Sequence, residues 1–106
     1  MNLKEEYYNP KGTPLKYDDF KEFEVKSAYD KGQWCFKFPN GYGASVIKRF
    51  GSYGYEKDLF ELAVVSYDGE DYTESHLCYS TVITDDVVGF LNNDEVLDYL
   101  KRIKEL

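Results

Sequence analysis

The chain is poor in the residues that most active sites are built from: it has one histidine and two cysteines, and between Asp58 and Leu100 it has no lysine or arginine at all. A single imidazole, His76, excludes metal sites that need two, and any catalytic dyad would have to be built around it. Its place between Ser75 and Leu77 on a predicted strand reads as a surface or half-buried position. No serine sits in Gly-x-Ser-x-Gly and neither cysteine has a base nearby in sequence, so nucleophilic catalysis has no support. Cys35 and Cys78 lie in separate apolar segments without a Cys-x-x-Cys pair. This predicts reduced, partly buried thiols in a cytoplasmic protein, with a bridge across two strands as the alternative. No apolar run approaches the ~20 residues that cross a bilayer, and Met1 to Glu6 lacks the basic start and apolar stretch of an export signal. The expectation is a cytoplasmic, non-enzymatic protein with no cofactor and no membrane role.

Two further motifs fail on context. Gly41-Tyr42-Gly43-Ala44-Ser45 lacks the third glycine of a dinucleotide fingerprint and the Gly-Lys-Ser/Thr of a P-loop, and a strand follows it where those motifs need a helix N-terminus. Asp68, Glu70, Asp71 and Glu74 do not follow the spacing of a calcium loop and read as solvated turn carboxylates, so no metal site is expected. Asp85-Asp86 has the form of a carboxylate pair for acid–base work. Thr84-Asp85-Asp86 also reads as a cap on a short helical turn through Leu91, and that is the expectation.

What the chain does have is core. Of 106 residues, 42% are hydrophobic and 18% aromatic, including eleven tyrosines, which is enough for one domain spanning residues 1–106 to bury a single core. Pro10, Gly12 and Pro14 mark residues 1–20 as an extended arm, with a short helical turn around Asp18–Glu24. Alternation then predicts strands over residues 22–83. Trp34, Phe36 and Phe38 share one face, Asn40-Gly41 turns the chain back into Ala44–Phe50, and Leu59–Tyr67 is apolar on both faces like a central strand. Asp68-Gly69 opens a hairpin whose return strand is Tyr72–Ile83. Asn92 with Glu95 forms a capping box for a helix over residues 92–106, with Val96, Leu97, Leu100, Ile103 and Leu106 at helical spacing. The predicted fold is α+β: four to five antiparallel strands packed against a C-terminal helix.

Charge is divided along the chain. Lys31 to Lys57 holds five basic residues against the one acid Glu56, while Asp58 to Leu100 holds eleven acids, giving net −7 overall. The acidic half suits a partner with a basic surface, with carboxylates standing in for phosphates; it also serves solubility. Phe50-Gly51-Ser52-Tyr53-Gly54-Tyr55 has the Tyr-Gly-Ser composition of binding loops, and Tyr42 is expected on the neighbouring turn. Interleaved with Lys48, Arg49 and Lys57, the loop has the pattern of a base-stacking strip, but the overall negative charge disfavours direct nucleic-acid binding. The candidate partner-binding residues are therefore Tyr42, Tyr53, Tyr55, Glu70, Asp71, Glu74, Asp85 and Asp86.

Asn40-Gly41-Tyr42-Gly43-Ala44-Ser45-Val46, then Leu59-Phe60-Glu61-Leu62-Ala63-Val64, then Ile83-Thr84-Asp85-Asp86-Val87-Val88-Gly89-Phe90-Leu91 and a short terminal helix resemble a family of small bacteriophage and prophage proteins. The resemblance covers Phe38 to Leu106. It departs from the family's pattern at Glu70–Val82, with Val82 where such sequences carry proline, and it supplies no catalytic residues. It implies a viral accessory protein acting inside a bacterium, which with the charge pattern gives an inhibitor of a host nucleic-acid-handling or anti-phage defence protein. Two other readings stand beside it. One is a nucleotide-binding module with a pocket of Trp34, Tyr42, Tyr53 and Tyr55, where Lys48 and Arg49 meet the phosphate. The other is a homo-oligomeric virion component.

Overall fold

A computed structural model describes residues 9–29, 31–67 and 87–106. The strands are β1 (Glu24–Val25), β2 (Gln33–Lys37), β3 (Tyr42–Ile47), β4 (Phe60–Ser66) and β5 (Val88–Leu91), followed by helix α1 (Asn93–Lys104). They form one antiparallel sheet in chain order, β1 to β5. The expected α+β fold is present.

Alternation places the core. Phe36, Ala44, Val46, Phe60 and Leu62 point from the sheet to one face, where Val96, Leu100 and Ile103 of α1 cover them. Burying each such side chain stabilises the fold by roughly 1.5–3 kcal/mol. The helix begins as its sequence requires: Glu95 N donates to Asn92 Oδ1 at 2.8 Å and Asn92 N donates to Glu95 Oε1 at 3.0 Å. It stops at Lys104, two residues before the periodicity suggests, and Leu106 is exposed instead of packed.

The β2–β3 hairpin is where Asn-Gly predicted it, but the turn differs. Gly41 N donates to Phe38 O at 3.1 Å, and only Gly41 takes a positive φ, of 87°. Pro39-Asn40-Gly41 is thus a three-residue loop ending in a left-handed glycine, not a two-residue Asn-Gly turn. The pre-set φ of Pro39 favours it, and it frees the Asn40 side chain. Asn40 Nδ2 reaches the carbonyls of Ile103, Lys104 and Leu106 at 2.9–3.2 Å, closing the end of α1.

Three expectations change. Residues 88–91 form a strand where a helical turn was predicted, because Val88 and Leu91 find partners on β4 opposite Leu62 and Phe60. The sheet therefore extends beyond residue 83. From residue 9 onward the arm is packed onto the fold: Leu15 is buried in the core, and Lys16 and Asn93 exchange backbone–side-chain bonds of 2.8 and 3.0 Å. Cys35, fully buried, is disulfide-bonded, so the reduced thiol expected there is not found. Cys78 lies outside the described residues, as do the predicted Asp68-Gly69 hairpin, the Tyr72–Ile83 strand and His76.

Candidate functional site

The chain between β3 and β4 binds an internal latch and an exposed cleft side by side. Lys48 and Arg49 leave β3 and turn inward, 3% and 8% exposed. A buried ammonium must be paired and hydrogen-bonded to be tolerated. Lys48 Nζ meets Asp58 Oδ1 at 2.7 Å and Thr13 O at 2.8 Å, and it lies 3.8 Å from the Phe60 ring centroid. Thr13 completes the latch by donating from N and Oγ1 to the two oxygens of Asp58, at 2.7 and 2.8 Å. The Lys48 hydrogen bond, followed by those from Thr13, holds the Asp58 carboxyl at about 2, below its ordinary 3.8. Arg49 donates to Lys31 O and stacks 4.0 Å from the Tyr29 ring centroid.

These contacts remove Lys48 and Arg49 from any basic strip or phosphate site. No local signal announces this, because a Lys-Arg pair at a strand end looks like any solvated pair. The clue was distant: an arm carrying Gly12-Thr13, and an acid, Asp58, at the boundary of the basic block.

Beyond the latch, Phe50 to Asp58 folds into successive tight turns ending in a 3-10 turn over Tyr55–Lys57. Tyr55 is buried, accepts a 2.8 Å bond from Lys11 N on its hydroxyl, and meets Phe50 edge-on at 6.4 Å. It supports the loop and does not face a partner. Tyr53 is 60% exposed, with Phe50 at 43% and Phe90 at 54%. The three lie around a cleft of about 820 Å³, lined also by Lys11, Glu56 and Lys57.

Phe90 was not foreseen as part of this site. Between the pairs Phe60↔Leu91 and Leu62↔Val88, β4 carries one residue and β5 two, so β5 bulges at Gly89-Phe90. Bulges re-aim side chains. Here Phe90 adopts a left-handed φ of 59°, which costs a non-glycine residue roughly 1–2 kcal/mol. The bulge is packed onto the loop: Phe90 N donates to Tyr53 O at 3.3 Å, Tyr53 N donates to Glu61 Oε1 at 2.9 Å, and a Cβ on Gly89 would lie 2.5 Å from Tyr53 Cβ. No short-range pattern carries this, since the bulge arises from pairing between β4 and β5.

The structure separates the other predicted residues. Tyr42 pairs with Ser66, whereas Tyr53 bonds to Glu61 at the opposite end of β4, roughly 16 Å away at ~3.3 Å per residue. Trp34 packs edge-on against Phe60 at 5.7 Å. Tyr42 and Trp34 therefore line no common pocket with Tyr53. Glu70, Asp71, Glu74, Asp85 and Asp86 lie outside the described residues. Among the described residues no group of three or more acids, histidines or cysteines is placed to hold a metal ion, and no helix is long and apolar enough to cross a membrane. No family model, curated protein or solved structure matches the chain.

Proposed function

We propose that the protein acts by binding and not by catalysis, as a phage or prophage accessory protein that inhibits a basic, nucleic-acid-handling or anti-phage defence protein of the host. The observation that supports this reading is the withdrawal of Lys48 and Arg49 into the fold, which leaves the surface poorer in cations than the composition suggests. Asp18, Asp19, Glu22 and Glu24 along the arm side, and Asp94, Glu95 and Asp98 on α1, are all exposed. With a net charge of −7, the chain is steered toward a cleft that evolved to take phosphates. The family resemblance supplies the viral setting. The host cytoplasm follows from the proposed partner alone, because the disulfide at Cys35 removes the support that reduced thiols would have lent.

The test is capture of host proteins by the tagged chain at ~50 and ~200 mM salt, followed by competition with the partner's own nucleic acid. A retained protein with a basic nucleic-acid site, released by salt and displaced by its nucleic acid, is the expected result, since exposed charges are screened over roughly 10 Å. Retention that ignores both salt and nucleic acid would reject the phosphate-mimic mechanism. The triple change Glu70→Lys, Asp71→Lys and Glu74→Lys then maps the surface: it should weaken capture if those acids face the partner.

A further inference from the structure

The cleft between the Phe50–Lys57 loop and Phe90 carries lysines and exposed rings in a chain of net −7, and it does not depend on the inhibitor reading. Its volume of about 820 Å³ falls within the ~300–1,000 Å³ of small-molecule sites. The backbone that carries Tyr53 and Phe90 is fixed before any ligand arrives. Phe50 is braced by Tyr55, Tyr53 is tied through both its backbone N and O, and Phe90 is turned outward by a bulge whose glycine presses on Tyr53. Preorganised aromatic walls lower the ordering cost of binding. A strained bulky residue that is also solvent-exposed adds little to the core, and such strain is retained where a site uses it.

The charges at the rim select the ligand. Asp58 is committed to Lys48 and Thr13, which leaves Glu56 as the cleft's one acid outside the latch, against Lys11 and Lys57. Lys57 Nζ lies 5.9 Å from the Phe90 ring centroid and is therefore next to the aromatic surface itself. A cationic ligand would compete with Lys57 for Phe90 and meet excess positive charge. A long polyanion would be repelled by a protein of net −7. A small planar anion satisfies both conditions. We infer that this cleft binds a ligand of the nucleotide class, with its base among the rings of Phe50, Tyr53 and Phe90 and its phosphate met by Lys57 and Lys11.

The experiment is isothermal titration of the full chain with AMP, GMP, CMP and UMP, the matching nucleosides, and inorganic phosphate, at ~50 and ~200 mM salt. At least one nucleotide should saturate, its nucleoside should bind several-fold more weakly, and phosphate alone should not bind measurably. Base–aromatic stacking is worth ~1–3 kcal/mol, so Tyr53→Ala should weaken the nucleotide by about tenfold or more. That ring is exposed, so the unfolding midpoint should stay unchanged and loss of fold is separable from loss of site. Lys57→Gln should weaken binding several-fold and flatten its salt dependence, whereas Glu56→Gln should strengthen it. No saturation by any nucleotide at millimolar concentration would overturn the inference, and so would equal binding by Tyr53→Ala. Loss of host-protein capture by Tyr53→Ala, with no nucleotide bound by the parent chain, would also overturn it and assign the rings to a protein partner. Nucleotide binding without host capture would leave the inference standing and the inhibitor reading rejected.

Discussion

Lys48 and Lys57 are nine residues apart on the same connection and have opposite roles. Lys48 is sealed under the arm, with its charge answered by Asp58 and a carbonyl, while Lys57 stands at an open cleft beside Phe90. The contrast extends to the regions around them. In the latch every polar group that is described has a partner, and the arm residues serve to close the fold. In the cleft three aromatic side chains, Phe50, Tyr53 and Phe90, are left in water, on a backbone whose conformation is unfavourable for one of them. The first arrangement is what stability requires; the second costs stability and is retained for contact with something else.

If that division is right, substitutions on the two sides should separate by size. The largest effect is expected from Lys48→Ala, which strips the buried partner from Asp58 and Thr13 and leaves a cavity over Phe60. Urea unfolding should show a loss of about 3 kcal/mol, near the lower end for breaking a buried pair because Asp58 is half exposed. A loss under 1 kcal/mol would show that the latch is ornamental. Next comes Asn92→Ala, which removes one side of the capping box and should cost about 1 kcal/mol by thermal melting.

Phe90→Gly should act in the opposite direction. Relief of the left-handed backbone should raise stability by up to about 1 kcal/mol in the same urea assay, reduced by whatever packing the ring supplies. A clear destabilisation would place Phe90 with the latch and erase the contrast. The smallest effect concerns pH. Because the carboxyl of Asp58 is held below its unfolded value, its contribution is complete above about pH 4 and is lost as pH falls toward 2. Asp58→Asn should flatten that part of the stability profile.

The sequence made the sheet readable wherever hydrophobic period and turn chemistry agreed, as they do for β2, β3 and β4, and for the start of α1 at Asn92 and Glu95. It failed at β5, where four residues are too few for a period and Thr84-Asp85-Asp86 carries a stronger local signal for a helix cap. Within the candidate site, Tyr53 and its glycine-rich loop were identifiable because composition alone marks them. Phe90 was not, since its orientation depends on an extra residue facing β4. Lys48, Arg49 and Tyr55 depart from expectation for one reason: charge and hydroxyl groups are assigned to the surface by default, and only the paths of the arm and of the β1–β2 connection show that partners await them inside.

The reciprocal bonds between Lys16 and Asn93 bridge seventy-seven positions of the chain, and those from Asn40 to the last turn of α1 bridge more than sixty. Closing loops of that length is slow compared with forming a hairpin or a helical turn. A ribosome releasing this protein has exported the arm and the first hairpin well before the residues that fasten them exist. The hairpin can form early, but the fold cannot lock until α1 has emerged, so residues made late complete ones made early.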